Sequence, residues 1–301
     1  MDAKITKQRL GNLLSYDWLK ILVAIAVAVT ALTVFFTMVR TRPTGAQTYT
    51  VYGYSGLQRG NDFLSLEDSI EDVFSYDILK VNADSFDGNR YQEMAFTARR
   101  AAGEGTVMFV SDYVLDDGNE ETKEMSDLSL LAQNYLSDRA GDEANSLLLD
   151  TKKYLADAES YLQKYFGENW REGTLDEAAA RATFDKRNGK DKRFRYRKSK
   201  YEQGVVQEYA RLNKLREDYL FVLKAFEENK LSHTEYTADD GQTYSVGICL
   251  GALNIRNLFY YTVDGVQSGE KVNLIVFNNG ERMGDLKFET FSFLRYLVER
   301  Y

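Results

Sequence analysis

The residue types that most often perform catalysis or bind metals are scarce in this chain of 301 residues. It has one histidine, His233, and one cysteine, Cys249. A zinc site needs three or four such ligands, and a Ser-His-Asp or Cys-His site needs a histidine beside its nucleophile. His233 lies in the polar stretch LSHTE, which predicts a surface turn, and Cys249 lies in the apolar run VGICL, which predicts a buried side chain. These counts exclude the usual zinc sites and histidine-dependent catalytic groups, and we predict a protein that is not an enzyme and has no metal or cofactor.

Carboxylates, in contrast, are abundant, with 46 Asp and Glu residues. With so many acids, pairs of carboxylates are expected by chance, so they do not specifically indicate a glycosidase-type site. Glycosidase chemistry nevertheless stays open. A calcium site made of oxygen ligands also stays open, but no acidic loop has EF-hand spacing. The DDG sequences at 116–118 and 239–241 are typical of turns. The GYSG sequence at 53–56 lacks the lysine and glycines of a phosphate loop or a nucleophile elbow.

The clearest charge pattern is a basic segment at residues 186–200, KRNGKDKRFRYRKSK. It has nine basic residues and one acidic residue, whereas the rest of residues 43–301 carries a net charge of −20. Such a segment favours anionic lipid headgroups, cell-wall polymers or a partner protein. The residues that we expect to make this contact are Arg193, Arg195, Arg197 and Lys198. The competing interpretation is a solvated connection between helices whose basic residues pair internally with acidic helices.

Residues 21–39, ILVAIAVAVTALTVFFTMV, form an uncharged apolar run. At about 1.5 Å per residue, this run is roughly 29 Å long as a helix, which matches the ~30 Å hydrocarbon core of a bilayer. Trp18 precedes the run, where aromatic residues favour the membrane interface. The pattern predicts a transmembrane helix over 19–40. A cleaved signal peptide is the main alternative, but its apolar region is normally shorter, and Arg40 and Arg42 occupy the region of cleavage.

Flanking charge predicts the orientation of this helix. Four basic residues precede the apolar run and two follow it. The more basic flank stays cytoplasmic, and long downstream domains cross the membrane largely regardless of their charge. We therefore predict a single-pass protein of the cell membrane with a cytoplasmic segment at 1–18, a linker at 41–47 and an extracytoplasmic C-terminal domain. This location argues against nucleic acid as the partner of the basic segment, and the near-absence of cysteine suits a bacterial protein of this kind.

Beyond the linker, the apolar pattern alternates between strand and helix. Strands are expected at 48–54, 77–82 and 106–111, and helices at 63–74 and 91–102. This alternation is typical of a parallel α/β sheet with right-handed crossovers.

Helical patterns then dominate for more than a hundred residues before strands return. The helices are expected at 148–165, 175–184 (with Thr174 as its N-cap) and 205–226. Later strands are expected at 243–253, 259–263 and 272–277, and a closing helix at 288–299. We predict a bilobal α/β domain with a large helical insertion. Its α/β lobe comprises 48–112 and 236–301, and its helical lobe comprises 113–235.

This plan resembles the extracytoplasmic solute-binding proteins of ABC transporters, which have the type 2 periplasmic-binding fold. The segment 48–56, TYTVYGYSG, is similar to the first strand and ligand-facing loop of that family. The segment 91–111, YQEMAFTARRAAGEGTVMFVS, resembles its helix, small-residue turn and cleft-facing strand, and 272–301 resembles its closing unit. The likeness spans about residues 48–301 with diffuse motifs. The chain departs from the family in its protein anchor and in a helical middle without recurrent aromatic-rich strands.

The resemblance implies capture of a small solute, such as a sugar or peptide, for an ABC permease or a sensor. Ligands of such folds lie beyond the C-terminal ends of parallel strands, where the strand order reverses. The residues that this places at the cleft are Tyr54, Ser55, Ser111, Asp112 and Tyr113, with Tyr260 and Tyr261 facing them. Tyrosine rings stack on ligand faces, and Ser and Asp hold hydroxyl or amine groups. Two alternatives are strand-end residues without a ligand, and a cell-envelope scaffold that contacts partners through the basic segment.

Overall fold

The structure is a computed structural model of the chain. It describes residues 11, 18–39, 43–54, 56–86, 90–114, 125–136, 148–238, 241–278 and 284–301. Of the residues singled out above, Ser55, Arg40, Arg42 and the acidic pairs at 116–117 and 239–240 lie outside these ranges. The chain divides into two compact units, Met1–Arg42 and Pro43–Tyr301.

The first unit contains helix α1, Trp18–Val39. Its window Trp18–Thr37 is long and apolar enough to cross a membrane, and none of that window is buried within the structure. The hydroxyls of Thr30 and Thr33 donate to backbone carbonyls one turn earlier, each at 2.8 Å. These bonds satisfy polar groups that lipid could not. The predicted apolar helix is therefore confirmed, although a signal sequence would meet the same criteria; orientation and compartment stay predictions.

The second unit is built on a six-stranded mixed sheet. The strands in chain order are β1 (Thr48–Gly53), β2 (Gln58–Arg59), β3 (Lys80–Ser85), β4 (Val107–Ser111), β5 (Ser232–Thr237), β6 (Thr243–Cys249), β7 (Phe259–Val263), β8 (Val266–Ser268) and β9 (Val272–Val276). The main sheet has the order β3-β1-β4-β9-β6-β5, and β2-β7-β8 form a small second sheet. β1 pairs in parallel with β3 and β4, as the alternating pattern predicts. The returning strands β9, β6 and β5 are antiparallel to their neighbours.

Helices cover both faces of this sheet. The helices in chain order are α2 (Leu66–Ile70), α3 (Arg90–Ala101), α4 (Asp127–Leu136), α5 (Thr151–Phe166), α6 (Glu177–Asn188), α7 (Lys192–Arg195), α8 (Lys198–Glu227) and α9 (Thr290–Arg300). Short 3-10 turns flank α2 at Asn61–Ser65 and Glu71–Val73, so the helix expected at 63–74 is broken into three pieces.

Side chains of a strand alternate between the two faces of the sheet. Tyr52 of β1 points to a cluster that includes residues of α3 and α4. Tyr49 and Val51 point to the opposite cluster, which includes residues of α5, α8 and α9. The predicted helical insertion therefore packs on the same core as the sheet, and the described residues of Pro43–Tyr301 form one compact unit. The division into two lobes stays a prediction.

Three local expectations were wrong. The N-cap of α6 is Asp176, whose Oδ1 accepts from the Ala179 amide at 3.0 Å, rather than Thr174. His233 lies in β5, and not in a turn; its ring stacks on Phe226 with centroids 4.6 Å apart. Burial lowers the pKa of His233. Cys249 is partly exposed at the end of β6, and not buried.

Candidate functional site

The strand order reverses beside β1. From β1 the chain runs to β3 on one side, and from β3 it crosses to β4 on the other side. Because all three strands are parallel, their carboxyl ends lie at one edge of the sheet. In open α/β sheets, this is the position where a crevice for ligands forms. The Tyr54 amide donates to the Phe109 carbonyl at 2.9 Å, so the residues after β1 stay beside β4.

Two glycines allow neighbouring elements to approach this edge closely. A Cβ added to Gly53, the last residue of β1, would lie 2.4 Å from the ring of Phe259 in β7. A Cβ added to Gly56 would lie 1.8 Å from a carboxylate oxygen of Asp127, the first residue of α4. Both separations are far below van der Waals contact. The loop after β1 is therefore packed against β7 and the start of α4, which gives the edge fixed walls.

Asp112 provides a carboxylate at this edge. Its amide donates to the Lys271 carbonyl at 2.8 Å, and its Oδ1 accepts from the Ser126 hydroxyl at 2.6 Å. Ser126 also caps α4, accepting from the Ser129 amide at 3.1 Å. Asp112 is half-buried, and its Oδ2 has no hydrogen-bond or ion-pair partner among the residues that the structure describes. One oxygen thus fixes the carboxylate, and none of the described residues occupies the other.

Tyr113, the next residue along the chain, packs with Tyr261 in the cluster that holds Tyr49 and Val51. Tyr113 is half-buried, and its ring stacks on Tyr261 with centroids 5.0 Å apart and an interplanar angle of 18°. The Lys271 ammonium lies 5.9 Å from the centroid of the Tyr113 ring, within range of a cation–π contact. Ser111 is fully buried, and its Oγ accepts from the Tyr113 amide at 3.0 Å. Ser111 therefore holds the backbone that presents Tyr113.

The other predicted site residues are placed differently. Tyr54 is half-buried and edge-on to Phe96, with centroids 6.3 Å apart. Tyr260 precedes Tyr261 in β7, and successive side chains of a strand point to opposite faces. Since the Tyr261 ring stacks on Tyr113, the side chain of Tyr260 points away from Tyr113. The structure joins Ser111, Tyr113 and Tyr261 by direct contacts, and it joins the Asp112 carboxylate to Ser126.

Ser126 and Lys271 complete this group, and neither was expected from the sequence. Ser126 had a local indication, because a serine directly before an acidic residue and an apolar run is typical of a helix N-cap. Lys271 had none, because it reaches the site only through the antiparallel pairing of β9 with β4.

The basic segment divides into a buried and an exposed set. Arg193 is mostly buried, and its Nη2 lies 2.5 Å from Asp77 Oδ1 and 2.8 Å from Asp191 Oδ2. For Arg193, this agrees with the competing interpretation, in which basic residues of the segment pair with acids of the same domain. Arg195, Arg197 and Lys198 are exposed and make no ion pair with any residue in the described ranges. The structure therefore separates Arg193 from the other three expected contact residues.

Arg193 belongs to a buried ionic network that joins α6, α7 and α8 to the turn before β3. Arg187 Nε lies 2.7 Å from Asp77 Oδ2, and its Nη2 bonds Glu208. Arg211 Nη2 lies 2.8 Å from Glu208 Oε1, and both side chains are almost fully buried.

Neighbouring arginines determine the protonation state of the acids in this network. Burial alone would raise the pKa of Asp77, but Arg187 and Arg193 outweigh it and hold that pKa below its ordinary value. Burial likewise opposes ionisation of Glu208, and Arg211 and Arg187 lower its pKa below the ordinary value. The network is therefore ionised at neutral pH.

A cavity of about 340 Å³ borders this network. Its lining includes Gln47, Asp77, Arg187, Asn188, Asp191 and Asp285. The buried Nη1 of Arg187 has no hydrogen-bond partner in the described part of the chain, and Asp285 Oδ2 is 3.9 Å away. Among the described residues, no group of three or more His, Cys, Asp or Glu side chains is placed to hold a metal ion.

The fold and site define an α/β domain with helices on both sheet faces and a carboxylate and paired tyrosines at the edge where strand order reverses. No known family model matches this chain, and comparisons with curated proteins and with solved structures gave no match. The resemblance to solute-binding proteins thus stays a prediction.

Proposed function

We propose that this chain is a membrane-anchored protein whose C-terminal domain binds a small polar solute without transforming it. The observation that carries the proposal is the Asp112 carboxylate at the reversal of strand order, with one oxygen fixed by Ser126 and the other without a partner among the described residues. Pockets of α/β proteins occur preferentially at this position and use a few fixed polar groups.

The chemistry of the edge suits a ligand with hydroxyl or amine donors. Such a donor bonds to Asp112 Oδ2, and a bond to a charged acceptor is stronger than one between neutral groups. The Tyr113 ring, held by Tyr261 at 5.0 Å, offers an apolar face for a sugar ring or a peptide side chain. We therefore favour a sugar, an amino acid or a short peptide as the ligand.

The anchor limits where such a protein acts. A domain attached to α1 meets only partners within tether reach of the same membrane. With the domain outside the cytoplasm, this favours delivery to an ABC permease or signalling through a sensor. The second candidate, an envelope scaffold without a small ligand, is favoured by the exposed Arg195, Arg197 and Lys198.

Thermal unfolding of the full chain in nanodiscs tests ligand binding. We expect one compound in a panel of sugars, amino acids and short peptides to raise the unfolding temperature. At a concentration of 100 Kd the stabilisation is about 2.7 kcal/mol, or roughly 5–10 °C for a domain of this size. Asp112→Asn keeps the acceptor for Ser126 but removes the charge, so we expect the affinity for that compound to fall about 10-fold or more.

The matched control is Asp264→Asn, an exposed aspartate in the turn after β7. Its φ of 50° is a conformation that asparagine tolerates. We expect this variant to bind the compound as the wild type does. A panel in which no compound raises the unfolding temperature would favour the scaffold, and equal affinity in Asp112→Asn would remove Asp112 from the site.

A further inference from the structure

The exposed part of the basic segment forms a surface whose positive charges make no ion pair with the residues that the structure describes. We call Lys190, Arg195, Tyr196, Arg197, Lys198 and Lys200 the basic surface, and all six side chains are exposed. The single acid of the segment, Asp191, is occupied by Arg193 Nε at 3.0 Å and Nη2 at 2.8 Å. The rest of residues 43–301 is strongly acidic, so this segment concentrates positive charge that the remainder of the domain does not have.

An aromatic side chain lies in the middle of these cations. Tyr196 is 69% exposed, and the Arg195 guanidinium carbon lies 5.4 Å from its ring centroid. Two residues earlier, Phe194 is buried edge-on to Phe184, with centroids 5.2 Å apart. A Cβ at Gly204 would lie 2.7 Å from Phe194, so glycine is required for this packing. A fixed α7 therefore presents Tyr196 to solvent, and an exposed tyrosine between arginines is typical of membrane–water interfaces.

The segment that carries the basic surface is joined by hydrogen bonds to the first residues of the domain. Gln47 Nε2 donates to Asp191 Oδ2 at 3.4 Å, and Gln47 Oε1 accepts from the Thr44 amide at 3.1 Å. Only five steps of the chain separate Thr44 from Val39, the last residue of α1. Five residues of fully extended chain span at most about 18 Å. The covalent connection thus keeps this part of the domain near the membrane that α1 enters.

We propose that the basic surface docks on anionic lipid headgroups of the same membrane. Lysine and arginine side chains are attracted to such a surface within about one Debye length, some 8 Å at physiological salt. The tether makes this docking intramolecular, so a weak attraction is enough to populate it. Docking fixes which side of the domain faces the bilayer. The proposal rests on the membrane anchor but not on any bound solute.

Energy transfer in nanodiscs tests the docking. The full chain carries a donor dye at Ser199→Cys, an exposed position between Lys198 and Lys200, in a Cys249→Ser background. The headgroups carry an acceptor. We expect higher transfer in discs of phosphatidylcholine with phosphatidylglycerol than in phosphatidylcholine alone. At about 1 M salt the Debye length is about 3 Å, and the transfer should return to the neutral-lipid value.

Two double variants separate a local surface from net charge. Arg195→Ser with Arg197→Ser should reduce the transfer in phosphatidylglycerol discs to the neutral-lipid value. Arg171→Ser with Arg256→Ser removes the same charge at exposed positions elsewhere and should keep the wild-type response. Lys198→Ser with Lys200→Ser is a second test of the same surface and should also lose the response.

Three outcomes would overturn the proposal. The first is equal transfer in both disc types, and the second is a phosphatidylglycerol response that survives in both surface variants. The third is a chain that ignores phosphatidylglycerol discs but binds soluble poly(glycerol phosphate) through Arg195 and Arg197. That last result would assign the surface to an anionic wall polymer and not to lipid.

Discussion

Glu208→Gln is expected to lower the free energy of unfolding by about 3–5 kcal/mol, the usual cost of breaking a buried ion pair from one side. Glu208 Oε1 lies 2.8 Å from Arg211, which is 1% exposed, and Glu208 also bonds Arg187. Glutamine has nearly the same shape, but it leaves two buried guanidinium groups without this negative charge. Urea unfolding of the full chain in a Trp18→Phe background, followed by Trp170 fluorescence, gives the free energy and its change.

Glu217→Gln is the matched control, because Glu217 lies exposed on the same helix α8. We expect its effect to stay within about 0.5 kcal/mol. Replacing Glu208 and Arg211 together by methionine removes both charges and should cost less than Glu208→Gln alone. Equal effects of Glu208→Gln and Glu217→Gln would show that the network does not stabilise the fold.

The same network predicts how stability depends on acid. The pKa values of Asp77 and Glu208 are lower in the folded protein than the values of about 4 in an unfolded chain. A lowered pKa contributes stability that is complete above the unfolded value and is lost as pH falls through the folded value. We therefore expect a loss of stability below about pH 4 that is smaller in Glu208→Gln, measured by urea midpoints at several pH values.

The elements that the sequence predicts well depend on short-range patterns. The apolar run of α1, the helix α3 and the strands β1, β4 and β7 lie within a few residues of their expected bounds. The parallel pairing of β1, β3 and β4 follows from the alternation of strands and helices. These features need only periodicity and the handedness of crossovers, which are properties of neighbouring residues.

The features that the sequence predicts poorly depend on contacts between residues that are distant in the chain. β9 pairs antiparallel with β4 although more than 160 residues separate them, and this pairing brings Lys271 to Asp112. Arg187 and Asp77 are 110 residues apart. One indication of the network was present, because Glu208 falls in the apolar stripe of Val205, Leu212 and Tyr219. A charge in such a stripe indicates a buried partner, but the pattern cannot say which one.

The candidate site shows the same division. Ser111 ends β4, and Tyr54, Asp112 and Tyr113 come within two residues after β1 or β4, so the pattern alone places them at one edge. Their side-chain contacts do not follow from the pattern, because the partners Ser126 and Tyr261 lie in distant parts of the chain. The expectation that Tyr260 and Tyr261 both face the site conflicts with strand alternation, which the sequence already contained.

Phe291→Ala is expected to lower the free energy of unfolding by about 3–5 kcal/mol. Phe291 of α9 is fully buried, stacked on Tyr154 of α5 at 5.0 Å and edge-on to Tyr219 of α8 at 4.9 Å. These helices share one core with Tyr49 and Val51 of β1. The small side chain leaves a cavity where three helices meet above the sheet, so both layers should lose stability together. Tyr196→Ala, an exposed aromatic residue, is the control and should change stability by less than about 0.5 kcal/mol.

Two probes show whether the helices and the sheet unfold as one unit. Trp170 is buried beside Tyr219, with ring centroids 5.5 Å apart, so its fluorescence follows the helical layer. Hydrogen exchange of β4 and β9, measured by mass spectrometry at increasing urea, follows the sheet. In Phe291→Ala we expect both transitions to move to lower urea by the same amount, because a shared core unfolds cooperatively. If Trp170 unfolds first while β4 and β9 stay protected, the helices form a separate lobe, and the two-lobe plan predicted from the sequence is correct.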